Sequence, residues 1–264
     1  IAQIMGGSLS GEDILITAGP SLKSSEVEQG GIFLAIQGEN VDGHDFVADA
    51  FSHGAVLAIT SRSVAHRHVL VADVTVALTS LARFARSELN DLTVIGITGS
   101  QGKTTTKDLL CHMLSQHGQT VAPSGNYNNE LGVPLTLLAC SSDTRYAVIE
   151  MGARHSGDIA HLASIAQPDI AVVLRVGMAH VGEFGSIEAI AKTKSELVSS
   201  LSEDGIAILG QYDPYTKAMK SLHSGRTVTF GTDHSDEVRA TEIEMREGCP
   251  HFDLVTPAGR AAVG

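Results

Sequence analysis

The sequence predicts an α/β protein built from two modules, the second of which contains a mostly parallel sheet. From Leu92 onward, the chain follows the order strand, glycine loop, helix, strand, helix, strand, helix. That order is typical of a parallel sheet with helices on both faces. Before about residue 85, short apolar runs instead alternate with glycine-rich turns. We therefore predict a small N-terminal α/β domain over residues 1–88 and a larger domain over residues 89–264.

The N-terminal module is predicted to combine short strands with helices. Apolar β-formers between turn signals predict strands at 31–36, 56–59 and 69–71. Apolar residues at helical spacing predict helices at 46–51 and 79–89. His66 and His68 have no Cys or carboxylate cluster beside them, so we interpret that stretch as a solvated loop rather than a metal site. Composition leaves open whether this module is a scaffold or a binding domain.

Composition and charge narrow the classes of partner. The chain has 264 residues, of which 43% are hydrophobic and 18% charged, as is typical of a globular protein. The net charge of -12 argues against nucleic acid or an anionic membrane as the main partner. No apolar run approaches the about 20 residues that span a bilayer, and the opening residues show no secretion signal. Cys111, Cys140 and Cys249 are far apart, which indicates reduced thiols in the cytoplasm.

The second module begins with a motif that is suited to phosphate. A β-rich run at 94–97 leads into the loop Gly99-Ser100-Gln101-Gly102, and Lys103 and Thr104 start a helical pattern. Such a loop presents backbone N–H groups and a helix dipole to an anion. Ile97 stands where the longer form of the motif has its first glycine, so a loop that merely turns is the alternative. We favour phosphate binding, with Lys103 on the outer phosphates and Thr104 on Mg²⁺.

Two candidate residues follow predicted strands of the same sheet. Glu150 ends the run at 146–149, and His180 comes shortly after the run at 170–174. Ligands of open α/β sheets collect at the carboxyl ends of the strands, so both residues are expected near the phosphate loop. A carboxylate there suits Mg²⁺, which takes oxygen ligands. The alternatives are a solvated glutamate and an ordinary packed or surface histidine.

A lysine interrupts the apolar stripe of a later predicted helix. The helix spans 187–201, with Ser186 as its N-cap. Lys194 lies on the apolar stripe, whereas Lys192 lies on the opposite side. A lysine on a core face either extends its ammonium to solvent or has a function, because burial of an unpaired charge is unfavourable. Desolvation lowers the pKa of a lysine and makes the neutral amine accessible. The pattern alone leaves both interpretations open.

The remaining predictions concern packing and the end of the chain. In the helix after the phosphate loop, one apolar face is predicted from Leu109, Leu110, Met113 and Leu114. A strand is predicted at 205–209, a turn at Asp213-Pro214 and a helix to about residue 222. A strand at 227–230 and a hairpin pairing 238–245 with 252–255 follow.

Four stretches, taken in order, resemble the Mur ligases, which build the peptide of the peptidoglycan precursor. They are GSQGKTTTKDLL from Gly99, GNYNNELGVPLTLL from Gly125, EMGARHSGDIAHLASIAQPDIAVV from Glu150 and AHVGEFGSIEAIAKTKSEL from Ala179. GIFLAIQGENVDGHDFV, from Gly31, is similar to the family's N-terminal UDP-binding domain. The ordered combination is far more specific than the phosphate loop alone. Within the family, it resembles the branch that adds D-alanyl-D-alanine to UDP-N-acetylmuramoyl-tripeptide.

This resemblance implies ATP-dependent amide formation through an acyl phosphate, with ATP and Mg²⁺ as cofactors. It implies that Thr104 and Glu150 bind one Mg²⁺ and that His180 binds a second. Lys194 matches the lysine that the family carries as a carbamate, which serves as a metal ligand. The implied catalytic residues are Lys103, His180 and Lys194. The implied nucleotide-binding residues are Gly99, Ser100, Gln101, Gly102, Lys103, Thr104, Thr105, Asn128 and Asn129.

The chain departs from the family pattern at several places. Lys23-Ser24-Ser25 stands where the family has Asp-Ser-Arg at the UDP end, and Arg175-Val176-Gly177-Met178 replaces Asn-x-Gly-Pro. Gly210 stands where an asparagine meets adenine, so we expect looser base selectivity. The family's C-terminal domain is expected to be absent, because the chain ends about where it would begin. We therefore expect residues 1–264 to bind nucleotide without full activity.

Two other functions remain open at this point. A sibling ligase, which adds a single amino acid, usually has Val-Ser-Ser-His after the strand glutamate, and this chain does not. A non-catalytic nucleotide-binding module is consistent with the expected truncation and with Gly210. The expected partners are the UDP-linked tripeptide and D-alanyl-D-alanine, without nucleic acid or membrane, and the expected oligomeric state is a monomer.

Overall fold

The computed structural model describes residues 1–38, 40–123, 125, 127–179 and 181–264. The chain forms two compact units. The first comprises Ile1–Leu92 and Glu130–Thr144, and the second comprises Thr93–Asn129 and Arg145–Gly264. This division follows compactness alone, and the domain boundary after residue 88 stays a prediction.

The first unit contains a five-stranded sheet. Its elements include β1 Ser8–Ser10, β2 Pro20–Ser21, β3 Ile32–Leu34, α1 Val47–His53, β4 Leu57–Thr60, β5 His68–Leu70 and α2 Val74–Glu88. The strand order is β1-β5-β4-β3-β2, in which β2 to β5 are parallel and β1 is antiparallel to β5. Ile32 and Leu34 pack on one face of the sheet and Phe33 on the other, because alternate residues of a strand point to opposite faces. The predicted small α/β module is confirmed.

Two details of the first unit differ from the sequence prediction. Helix α2 begins at Val74 rather than at residue 79, because the side chain of Asp73 caps it by accepting from the N–H of Val76. The interpretation of residues 66–68 as a solvated loop is wrong. His68 lies in β5 and is 2% exposed, and its Nδ1 bonds to the backbone oxygen of His66.

The second unit contains a nine-stranded sheet. From residue 93 onward the elements are β6 Thr93–Thr98, α3 Lys103–Leu114, β7 Gln119–Val121, α4 Gly132–Leu138, β8 Thr144–Glu150, α5 Asp158–Ala166, β9 Ile170–Val173, α6 Val181–Phe184, α7 Ile187–Ser199, β10 Ile206–Gly210, α8 Pro214–Ala218, β11 Arg226–Gly231, β12 Val238–Arg246, β13 Cys249–Thr256 and β14 Gly259–Val263. The strand order is β14-β13-β12-β11-β10-β9-β6-β8-β7. Strands β8, β6, β9, β10 and β11 are parallel, and β12 to β14 form an antiparallel meander. The predicted mostly parallel sheet and the terminal hairpin are confirmed, and β14 is an additional strand.

Helix α4 belongs to the first unit although its neighbours in sequence belong to the second. Leu131, Leu135 and Leu138 pack against the same apolar cluster as α2. These leucines recur at helical spacing, but spacing does not say which sheet a helix will cover. Among the described residues, no helix is long and apolar enough to cross a membrane.

The predicted apolar face of α3 is only half correct. Leu110 and Leu114 pack against the sheet core, but Leu109 is 60% exposed and Met113 is 62% exposed. Lys107 is instead buried, at 3% exposure. Hydrogen bonds from Lys107 to two backbone carbonyls make the burial of its charge tolerable.

The observed face of α3 predicts unequal effects for two adjacent leucines. Leu109→Ala should change the free energy of unfolding by less than about 0.5 kcal/mol, because its side chain is exposed. Leu110→Ala should cost about 2 kcal/mol, because it removes contacts with the sheet core. Urea denaturation followed by circular dichroism measures both, and equal losses would contradict the observed face of α3.

Candidate phosphate and metal site

The candidate site lies where the central strands of the second unit end. Strands β8 and β9 flank β6, and all three run in the same direction. Ile97 pairs with Glu150, and Thr98 pairs with Val173, so the three strands end side by side. The side chain of Thr98 adds a bond to the backbone oxygen of Met151 at 3.0 Å. This edge is the expected ligand position in an open α/β sheet.

The glycine loop joins β6 to α3 in the conformation that the motif requires. Gly102 has φ +82°, which is in the left-handed region that favours glycine. It is the N-cap of α3, and no side chain caps the helix there. Lys103 Nζ donates to the backbone oxygen of Gly99 at 3.0 Å. The side chains of Gln101 and Thr105 are exposed. A helix start without a side-chain cap is available to an anion.

Ser100 holds the glycine loop against the segment that follows β9. Its backbone N–H donates to the oxygen of Arg175 at 2.8 Å. Its hydroxyl accepts from the N–H of Gly177 at 2.9 Å and donates to the oxygen of that residue at 3.1 Å. Both polar groups of Ser100 are therefore engaged by the segment that follows β9. The structure assigns this residue to holding the loop, and its predicted contact with nucleotide stays a prediction.

Glu150 is a buried carboxylate that accepts hydrogen bonds from two neutral groups. It is 2% exposed. Its Oε2 accepts from Thr104 Oγ1 at 2.9 Å, and its Oε1 accepts from Asn128 Nδ2 at 2.8 Å. Among the residues that the structure describes, no Lys, Arg or His side chain forms an ion pair with it. The solvated-glutamate alternative is therefore wrong.

The chemistry of this pair fits Mg²⁺. A carboxylate and a hydroxyl are the hard oxygen donors that Mg²⁺ takes, and the ion typically keeps further waters and phosphate oxygens. A buried carboxylate that has no cation beside it is unfavourable, and a divalent ion would neutralise its charge. Within the described ranges, no group of three or more His, Cys, Asp or Glu side chains could hold a metal.

Lys194 is buried on the inner face of α7. The predicted stripe is confirmed, since Ile190 and Leu197 are 1% and 0% exposed, and Ser186 caps the helix as expected. Lys194 itself is 7% exposed, so its ammonium does not extend to solvent. Burial, and secondarily the nearby charge of Lys103, lower the pKa of Lys194 to about 8. In the part of the chain that the structure describes, no oxygen accepts a hydrogen bond from this ammonium.

Other predicted residues have mixed outcomes. Thr104, Asn128 and Glu150 are brought together, whereas His180 lies outside the described residues. Asn129 is exposed. Asp213, predicted only as part of a turn, caps α8 and accepts from the N–H of Val176 at 2.9 Å, so it holds the segment after β9 from its other side. Its position before a proline was the available signal.

Gly210 leaves no room for the side chain that the family pattern would place there. A Cβ at this position would fall on the backbone oxygen of Leu174. An asparagine would therefore require the end of β10 to move away from β9. The departure at this position is a property of the local backbone as well as of the side chain.

Comparisons with known proteins identify one family over most of the chain. The Mur ligase middle domain family matches residues 97–263, and the family described as Mur ligase family, catalytic domain matches residues 18–89. UDP-N-acetylmuramoyl-tripeptide–D-alanyl-D-alanine ligase from Mycobacterium tuberculosis is 39% identical over all of this chain and 58% of its own length. The ligase of the same name from Bacillus subtilis is 36% identical over 96% of this chain and 56% of its own length.

Solved structures give the same result. MurF from Acinetobacter baumannii superposes with a TM-score of 0.89 at 37% identity, covering 99% of this chain and 58% of its own. The MurF ligase from Thermotoga maritima in complex with ADP has a TM-score of 0.80 at 35% identity, covering 92% of this chain and 57% of its own. The chain thus spans somewhat more than half the length of these relatives.

Burial of Lys194 predicts that the residue destabilises the fold. Lys194→Met should raise the free energy of unfolding at pH 7 by up to about 3 kcal/mol, because it removes a desolvated charge. Since the folded pKa is lowered, the gain should be complete below pH 8 and shrink as the pH rises towards the unfolded value of 10.5. Denaturation across this pH range measures the gain in the free energy of unfolding. The exposed Lys192→Met is the matched control. An equal gain in Lys192→Met, or no gain in Lys194→Met, would contradict the buried position of Lys194.

Proposed function

Because the chain belongs to the Mur ligase family, we propose that the complete protein is an ATP-dependent ligase. It joins D-alanyl-D-alanine to UDP-N-acetylmuramoyl-tripeptide in peptidoglycan precursor synthesis, and the names of its relatives support this pair of substrates. The observation that carries the proposal is the buried Glu150 carboxylate bonded to Thr104 at the start of α3. The start of a helix that can bind phosphate, next to a buried carboxylate that forms no ion pair with the described side chains, suits a metal-bound triphosphate.

The residues of the loop and helix bind the nucleotide in this proposal. Lys103 exchanges its contact with the Gly99 oxygen for the outer phosphates, and the backbone of the glycine loop surrounds them. Thr104 and Glu150 would hold Mg²⁺, with Asn128 fixing one carboxylate oxygen. When bound, the ion would neutralise charge on the phosphoryl group that is transferred. Gln101, Thr105 and Asn129 have exposed side chains from which they can reach the nucleotide.

The reaction proceeds in two steps. An oxygen of the tripeptide's terminal carboxylate attacks the γ-phosphorus, and ADP leaves. The amine of D-alanyl-D-alanine then attacks the acyl phosphate carbon, loses a proton and displaces phosphate. Because the reacting oxygens are all negatively charged, the protein's main tasks are positioning and charge stabilisation.

Lys194 acquires a function in the same proposal. With its pKa lowered to about 8, a substantial fraction of the amine is neutral near physiological pH. The amine nitrogen adds to the carbon of CO₂ and releases a proton, which leaves a carbamate with carboxylate-like oxygens. Such a group is the kind of donor that a second Mg²⁺ would take together with His180. The conversion also replaces an unpaired buried cation by an anion that a metal can neutralise.

The proposal also concerns the part of the relatives that this chain does not match. The chain covers 58% of the length of its mycobacterial relative. We propose that residues 1–264 bind the nucleotide and the UDP-linked tripeptide, while turnover depends on that further portion. A cytoplasmic location and a monomeric state remain predictions.

Lys103→Ala in the complete protein tests the enzymatic proposal. The rate of phosphate release with ATP, UDP-linked tripeptide and D-alanyl-D-alanine should fall about 100-fold or more, because a cation that stabilises transferring phosphate is removed. Lys220→Ala, at an exposed position, is the control. An unchanged rate in Lys103→Ala would remove the enzyme proposal.

Two further arms of this assay separate the alternatives. Single amino acids in place of the dipeptide should give no release, and a preference for them would identify a sibling ligase. Residues 1–264 alone should bind ATP but show no normal rate of dipeptide-dependent release. ATP binding without release in the complete protein would indicate a non-catalytic module.

The carbamate is tested by carbon-13 NMR with labelled bicarbonate. A carbamate signal should appear and grow as the pH rises through about 8, because the neutral amine is the reactive form. Lys194→Gln should abolish the signal, and Lys192→Gln should retain it. A signal that persists in Lys194→Gln would assign the modification to another amine.

A further inference from the structure

Lys107 is a buried lysine that the proposed chemistry does not use. It lies in α3, about one turn after Lys103, and is 3% exposed. Its Nζ donates to the backbone oxygens of Pro123 at 2.8 Å and Gly125 at 3.3 Å, and it lies 3.0 Å from Oδ1 of Asp108. An ammonium has three N–H donors, so three oxygens can satisfy it. Unlike the ammonium of Lys194, this ammonium has two hydrogen bonds to carbonyls and an ion pair with a carboxylate.

The two carbonyls belong to the segment that leads to Asn128. Gly125 has φ +59°, a conformation that favours glycine, and Asn128 follows three residues later. The backbone oxygen of Asn128 accepts from the N–H of Gly152 at 2.9 Å, and its side chain donates to Glu150. Among the described residues of this stretch, Pro123 and Gly125 contact Lys107, and Asn128 contacts Glu150.

A hydrocarbon side chain could fill the position of Lys107 without the cost of desolvating a charge. What it could not do is hold two backbone carbonyls in place. Hydrogen bonds from a charged donor are shorter and roughly twice as strong as neutral ones. The burial of an ammonium here is therefore explained by its bonds to the backbone oxygens of Pro123 and Gly125 rather than by packing.

We propose that Lys107 is a positioning residue that anchors Pro123 and Gly125, so that Asn128, three residues after Gly125, orients the Glu150 carboxylate for Mg²⁺ at the nucleotide site. Asn128 holds Oε1, which leaves Oε2 to be shared between Thr104 and the metal. Lys107 touches neither nucleotide nor metal in this arrangement. The inference rests on the proposed function, because it assigns Lys107 to the metal site of that function.

The test is the affinity of the complete protein for a fluorescent ATP analogue, measured with and without Mg²⁺. In Lys107→Met, the increase in affinity on adding Mg²⁺ should be about tenfold smaller than in the wild type. This is the usual effect of removing a group that orients a ligating carboxylate. Affinity without Mg²⁺ should stay unchanged, since the glycine loop is intact. Lys107→Arg should recover part of the loss, and the exposed Lys192→Met should behave as wild type.

A double-mutant cycle separates positioning from general destabilisation. If Lys107 acts through Asn128, the variant Lys107→Met/Asn128→Ala should be no worse than Asn128→Ala alone. Hydrogen exchange of the metal-free protein should also increase at residues 127–128 in Lys107→Met. Should thermal melting show that Lys107→Met is unfolded, the same cycle is run with Lys107→Gln.

The outcomes are distinct. Additive losses in the cycle, or an equal loss with and without Mg²⁺, would overturn the role of Lys107. A wild-type protein whose nucleotide affinity does not respond to Mg²⁺ would instead overturn the proposed function. A Mg²⁺-dependent wild type combined with a non-additive cycle supports the inference.

Discussion

A carboxylate buried at the end of β8 is the constraint on which the site in the second unit depends. Glu150 is 2% exposed, and among the described residues a hydroxyl and an amide bond to it but no cation pairs with it. A fold selected for stability alone would place a neutral side chain there, because an unpaired buried charge is unfavourable. The surrounding elements instead keep this charge in place, which is the expected arrangement where a ligand supplies the compensating cation.

The two buried lysines, Lys107 and Lys194, have different surroundings. The ammonium of Lys107 is satisfied by two carbonyls and Asp108, so its charge is part of the folded architecture. Lys194 has no such acceptor in the described part of the chain, and burial lowers its pKa to about 8. The lowered pKa makes the neutral amine of Lys194 accessible near physiological pH, and this is the form that reacts at nitrogen.

Sequence reasoning succeeds here where local patterns determine the outcome. The strand ends at Glu150 and the stripe around Lys194 follow from apolar runs and helical spacing, so both positions are foreseeable. The rotation of α3 is not, because Leu109 and Lys107 compete for the buried face and the carbonyls that decide the matter lie in a distant segment. The return of α4 to the first unit and the role of Ser100 likewise depend on contacts between residues far apart in sequence.

These long-range contacts matter because they fix the site before any ligand arrives. Ser100 ties the glycine loop to the segment after β9, and Asp213 ties the same segment to the start of α8. The close approach of Gly210 to Leu174 brings the end of β10 against β9. The ends of β6, β9 and β10 are thus linked by side-chain and backbone contacts. Phosphoryl transfer depends mainly on positioning and preorganised charge. It follows that, in the proposed phosphoryl transfer, the residues that link the strand ends contribute to positioning.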